Sequence, residues 1–100
     1  MNIENMESKL FKALSHPSRL AIVKSLLNET KCVCELVDII GISQSNLSQH
    51  ISILRDANII KQERDGTRIN CLVNHKEIGN IINDANKIVK NEINNMLNEI

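Results

Sequence analysis

Apolar residues in this chain recur three and four apart over most of its length and two apart over one stretch, and that change of period outlines the elements. Ile3, Met6, Leu10 and Leu14, with Phe11 beside them, predict a first amphipathic helix that stops near Ser15-His16-Pro17. Pro17 suits the first position of a second helix, where its missing N–H is not needed. That helix is expected to reach about Asn28. Leu20, Ile22, Val23, Leu26 and Leu27 cover more than one of its faces, as in a central buried helix. After a short Glu29-Thr30-Lys31 connection, Val33, Leu36, Val37 and Ile40 space a third helix, with Gly41 as its left-handed cap. Ser43 stands where an N-cap should, and Leu47, Ile51 and Leu54 give the fourth helix one apolar face.

Beyond Asn58 the period becomes that of strands. Residues 59–64 and 67–73 read as a hairpin joined at Asp65-Gly66, a dipeptide suited to two positive-φ positions. Asn74 and Glu77 have the spacing of a capping box, and a last helix follows. It carries Ile78, Ile81, Ile82, Ala85, Ile88, Val89, Ile93, Met96, Leu97 and Ile100. Such a helix is a rod on the order of 35 Å long, too much apolar stripe for one small domain to cover. The pattern predicts a mainly α chain with a small β-hairpin wing: one winged helix-turn-helix domain over residues 1–100. The helix-turn-helix takes 33–57 and the wing 59–73. Helices at 1–15 and 77–100 are expected to pair with a second copy, forming a homodimer.

Opposite the apolar face of the fourth helix lie Gln44, Ser45, Ser48, Gln49, Ser52 and Arg55. Amides and hydroxyls can hydrogen-bond base edges and phosphates without the repulsion a carboxylate brings. Gln44, Ser45, Ser48 and Gln49 are candidate DNA contacts, and His50 on the same helix can bond a phosphate or a neighbouring backbone group. Arg64 and Arg68 flank the wing tip, within reach of backbone or minor groove. The other histidines invite plainer readings: His16 shapes a helix boundary and His75 sits exposed in the first turn of the last helix.

Composition narrows the partners. Lys and Arg number 12 and Asp and Glu 12, so the formal net charge is zero. Arg55, Lys61, Arg64, Arg68 and Lys76 nevertheless cluster after the fourth helix, a locally basic face fit for salt-dependent DNA binding. Aromatics make up 1%, Phe11 alone, which leaves no stacking platform for RNA or single strands. The sequence contains no membrane-spanning apolar run and no signal-peptide pattern, so a cytoplasmic location is expected. No nucleophile–base pair, phosphate loop or carboxylate pair points to an enzyme.

Three cysteines remain: Cys32, Cys34 and Cys71. In a reducing compartment, metal or redox chemistry comes before a structural disulfide. Inside a helix Cys32 and Cys34 would point about 200° apart, but in an extended segment or across a helix start they can face the same way. A helix N-terminus also favours the thiolate that binds soft metals. A spacing of two is awkward for an internal disulfide. Cys71 lies on the second wing strand, facing the core with Ile69 and Val73. It is a candidate third ligand, more simply read as a small buried hydrophobe.

Several stretches together resemble the ArsR/SmtB family of bacterial and archaeal metal-responsive repressors. They are Leu10 through Leu20, Cys32-Val33-Cys34-Glu35-Leu36, Ser43 through His50, Leu54-Arg55-Asp56-Ala57 and the Asp65-Gly66 wing. The resemblance implies a homodimeric winged helix-turn-helix repressor, bound to double-stranded operator DNA until an inducer binds, with DNA contacts at Gln44, Ser45, Ser48, Gln49 and His50. It also implies Cys32 and Cys34 as metal(loid) ligands. The chain departs from the family's arsenic pattern at Val37, where a third Cys often stands. Residues 1–15 hold no Cys or His, and residues 77–100 no His. As(III) or Sb(III), which accept two or three thiolates, fit what is left better than zinc or cadmium, with another soft ion as the remaining case. Two alternatives stay open: a repressor of the same fold switched by thiol oxidation or persulfide formation, and a winged-helix protein-interaction module that does not bind DNA.

Overall fold

In the computed structural model, which describes residues 1–99, every helix start but the last is tied by a side chain. The Asn2 amide oxygen accepts from Asn5 N–H at 2.9 Å and opens α1 (Ile3–Leu14). His16 does the same for α2 (Pro17–Leu26), its Nδ1 accepting from Ser18 N–H at 3.0 Å with Pro17 in the first turn. The helix ends two residues before the expected Asn28. The short strand β1 (Lys31–Cys32) leads into α3 (Val33–Ile40), which stops at Gly41 with φ +75°. Ser43 Oγ then accepts from Asn46 N–H at 3.2 Å and opens α4 (Gln44–Asp56). α4 ends as a Schellman motif: Asn58 takes φ +60°, Asn58 N–H donates to the Arg55 carbonyl and Ile59 N–H to the Leu54 carbonyl.

The wing is β2 (Ile60–Asp65) and β3 (Arg68–Val73), antiparallel, with β1 on the other side of β3 in the order β1-β3-β2. Asp65 pairs with Arg68. The two-residue turn is therefore Gly66-Thr67 and not the expected Asp65-Gly66. Positive φ falls on Gly66 alone, at +64°. A turn with its glycine at the first central position needs only that one residue in the left-handed region. Asn74 also departs from expectation. Its amide donates to the Asn58 carbonyl at 3.2 Å, pinning the strand end to the exit of α4, and α5 (Glu77–Asn98) starts without a side-chain cap.

The core is aliphatic, as a chain with one aromatic requires. Ile22 and Val23 of α2, Leu36 of α3, Leu47 and Leu54 of α4 and Ile59, Ile60 and Cys71 of the wing base are all buried. α5 gives that core only Ile78 and Ile82. Farther along it Ile88, Val89, Ile93, Met96 and Leu97 stay exposed, as do Ile3, Met6 and Phe11 of α1. Phe11, Leu14, Ile82, Ala85 and Val89 line one apolar groove between the two helices. The fold is a winged helix-turn-helix: α3 and α4 form the helix pair, held on α2, with β2 and β3 beside α4.

Candidate nucleic-acid interface and its thiol pair

Leu47, Ile51 and Leu54 anchor α4 in the core, and this burial presents the opposite face outward. Gln44, Ser45, Ser48 and Gln49 are all exposed on it. Their register is fixed twice, by the apolar anchors and by the Ser43 cap.

His50 does not join them. It is half-buried, its ring centroid 4.5 Å from that of His16. Its Nδ1 lies 3.2 Å from Arg19 Nη1, so it accepts and the ring is neutral. Arg19 also donates through Nε to the Ala13 carbonyl at 2.6 Å and through Nη2 to the Lys12 carbonyl at 3.3 Å. His50 thus ties α4 to the corner between α1 and α2. Burial first, then the nearby His16 and Arg19, holds its pKa below the ordinary 6.5. The sequence held the clue: His50 lies three residues after Leu47 and four before Leu54, on the apolar side of the helix.

On the wing, Arg64 and Arg68 are exposed near the tip. Arg68 is not free: its Nη2 donates to Glu35 Oε1 at 3.1 Å. Arg55, at the end of α4, donates to Gln62 Oε1 at 2.8 Å and joins that helix to β2. Between α3, α4 and the wing lies an open cleft of about 490 Å³. Cys32, Cys34, Gln44, Ser48 and Arg68 all border it, over the apolar side chains of Val33, Val37, Ile51 and Ile69. Cys32, Cys34 and part of the exposed polar face of α4 therefore line one cavity.

Cys32 is buried and Cys34 exposed. Cys32 is the N-cap of α3, with extended φ −75° and ψ 158°, and Cys34 stands in the first helical turn. This junction brings their Cα atoms to 5.3 Å, and the two sulfurs are joined as a disulfide. The spacing of two, awkward within a helix or strand, is thus workable where one conformation gives way to the other. Cys32 Sγ accepts from Glu35 N–H at 3.2 Å while Glu35 Oε1 accepts from Cys32 N–H at 3.1 Å, a complete capping box with sulfur in the hydroxyl's place. Sequence reasoning passed over Glu35, although it stands three residues after the cap and just before an apolar position, which is the box's signature.

Cys71 is not brought to the pair. In the antiparallel register it stands opposite Lys31, and Asn70 opposite Cys32. Successive strand residues face opposite ways, so Cys71 and Cys32 project to different sides of the sheet. Its neighbour is Gln62, whose Nε2 donates to the sulfur at 3.8 Å. Burial pushes the Cys71 thiol up, against the smaller pull of that hydrogen bond. Among the described residues no three of His, Cys, Asp and Glu are grouped to hold a metal ion. Two sulfurs and no third protein donor suit a thiophilic centre that accepts two thiolates, and not a closed tetrahedral site.

A family model for bacterial regulatory proteins of the arsR family matches residues 16–62, from the cap of α2 into strand β2. The arsenical resistance operon repressor of Bacillus subtilis is 40% identical over 75 residues, covering 74% of this chain and 71% of that one. The chain belongs to the arsR family. An SmtB repressor of Mycobacterium tuberculosis is 36% identical over 77 residues, 77% of this chain and 57% of its own. A crystal structure of another M. tuberculosis protein superposes with a TM-score of 0.88 at 26% identity, covering 97% of this chain and 98% of that one. DNA binding and transcription regulation through a winged helix-turn-helix come with this arsR-family membership. No helix of the described residues is long and apolar enough to cross a membrane.

Proposed function

We propose that this arsR-family chain is a homodimeric repressor that holds double-stranded operator DNA through Gln44, Ser45, Ser48, Gln49, Arg64 and Arg68. It lets go when Cys32 and Cys34 are engaged, with As(III) or Sb(III) as the inducer. The cleft carries this reading, because the two sulfurs stand in the same cavity as Gln44 and Ser48. The arsenical function of the B. subtilis relative supports the choice of inducer. Arsenous acid condenses with the two reduced thiols to give a dithiolate, each Sγ replacing one hydroxyl on arsenic and two waters leaving. Arsenic keeps its remaining hydroxyl as the third substituent.

The exposed apolar side chains of α1 and α5 support the homodimer, since covering them gives a small domain the burial it lacks alone. Two copies related by a two-fold axis would set their α4 helices about 34 Å apart, one turn of duplex. A mobility-shift assay on the protein's own promoter region, at two salt concentrations and with and without arsenite, tests the proposal. Salt-sensitive binding that arsenite reverses is expected, with Cys32→Ser and Cys34→Ser binding DNA but ignoring arsenite. Absent or salt-insensitive binding refutes it in favour of a protein-interaction module.

One observation favours a second reading, a thiol-redox switch: Cys32 and Cys34 are joined in this structure. Their oxidation passes two electrons and two protons to a peroxide, which leaves as two waters. Release of DNA by peroxide, reversed by dithiothreitol, distinguishes it from metalloid induction.

A further inference from the structure

Glu35 serves two groups with one oxygen. Its Oε1 lies 3.1 Å from Cys32 N, closing the capping box, and 3.1 Å from Arg68 Nη2 at the wing. Arg68 opens β3 at the wing tip, and two residues along that strand Asn70 pairs with Cys32. The carboxylate therefore stands between the sulfur that caps α3 and a guanidinium placed to meet a DNA phosphate. That guanidinium is committed to a carboxylate while Glu35 holds it.

We infer that Glu35 is the positioning residue through which the state of Cys32 reaches the wing. The inference rests on the thiol-sensing repressor proposed above. When Cys32 and Cys34 are tied together, by a bond between them as here or by one bridging atom, the cap sulfur is fixed at the helix start. The box is then closed, and Glu35 is oriented to withhold Arg68 from DNA. When the thiols are free, the Cys32 thiol still caps α3 in the DNA-free protein but is no longer fixed there, so it can give way when a DNA phosphate competes for Arg68. Glu35 then loses its reciprocal bond, and Arg68 passes to the phosphate. Both Glu35 and Arg68 are about half exposed, with side-chain exposures of 47% and 57%, so the pair is weak enough for a phosphate to displace. An exposed ion pair of this kind changes an equilibrium by up to about fivefold.

Glu35→Gln separates the two duties, because glutamine closes a capping box as glutamate does but carries no charge to hold Arg68. Operator affinity is measured against salt for the parent and E35Q, each reduced with dithiothreitol, treated with arsenite, or oxidised with diamide. For the parent, tying the thiols is expected to weaken binding and to lower the slope of log affinity against log salt by about 0.9 for each wing. For E35Q the slope stays at its reduced value, and the loss of affinity shrinks by about fivefold. Circular dichroism checks that E35Q keeps its helices. Arg68→Gln gives a second test, in which the salt slope is low and independent of thiol state. If the parent responds and E35Q or R68Q responds equally in slope, Glu35 is not the relay, although the repressor reading stands. If the parent binds DNA but responds to neither arsenite nor diamide, thiol sensing and the relay fall together.

Discussion

Replacing Cys32 by alanine removes a helix cap and a buried sulfur at once, while the same change at Cys34 removes neither. Cys32 Sγ accepts from Glu35 N–H at the start of α3 while bonded to Cys34, and a free thiol at that position is expected to accept in the same way. Losing an N-cap costs about 1 kcal/mol. Cys32 is 2% exposed, and removing its sulfur from a packed site adds on the order of 1 kcal/mol. Cys32→Ala should therefore destabilise the reduced protein by about 2 kcal/mol by these two contributions. Cys34→Ala, at an exposed position of the same helix, should stay within about 0.5 kcal/mol. Cys32→Ser separates the contributions further, since a serine hydroxyl caps at least as well as a thiol and should recover the capping part, about 1 kcal/mol, while leaving the loss from the buried sulfur. The assay is urea unfolding under dithiothreitol at one fixed protein concentration, because a dimer's midpoint depends on concentration. Equal losses for Cys32→Ala and Cys34→Ala would show that the sulfur at the helix start is not a cap, and the relay through Glu35 would lose its first step.

Other outcomes follow from the same geometry. Gln44→Ala and Ser48→Ala should each weaken operator binding by about 1–3 kcal/mol where the side chain reads a base, with unfolding by urea unchanged; a matching loss of stability would mean that these residues act through the fold. Because His50 is held below its ordinary pKa of 6.5, the unfolded chain takes up the proton first as pH falls. The stability it contributes is complete above that value and is lost as pH drops through it toward the folded pKa. Urea unfolding at pH 7.5 and 5.5 should show a decline that His50→Gln reduces, and an unchanged decline would remove His50 from its cause. Ile93→Glu, on the exposed apolar stripe of α5, should shift the protein from dimer to monomer in sedimentation and weaken operator binding with it; a dimer of parental strength would place the interface elsewhere.

The helices were legible because burial wrote itself into the spacing. Leu47, Ile51 and Leu54 gave both the face of α4 that packs and, by subtraction, the exposed polar face proposed to meet DNA. Gly41, Ser43 and Pro17 marked boundaries through backbone rules that hold without tertiary contacts. Where two local rules competed, tertiary contacts decided. Asp65-Gly66 and Gly66-Thr67 can each make a two-residue turn, and the register opposite β3 selected the second. Asn74 could have capped α5, but the Asn58 carbonyl claimed its side chain. His50 entered the candidate contacts through the family resemblance, and the partner that makes a polar group acceptable at its half-buried position, Arg19, lies 31 residues away. Glu35 was missed for a related reason: its capping role is local and readable, while its hold on Arg68 exists only once the wing folds back on α3.

The most direct test of conditional repression through the thiol pair is a titration of arsenite into the reduced protein–operator complex. Thiolate-to-arsenic ultraviolet absorbance is followed on one channel and DNA release on the other. Both signals should rise together and end near one arsenic per chain, and both should vanish in Cys32→Ser and Cys34→Ser while Cys71→Ser behaves as the parent. DNA release that persists without Cys32 and Cys34, or absorbance that saturates while the operator stays bound, would contradict it.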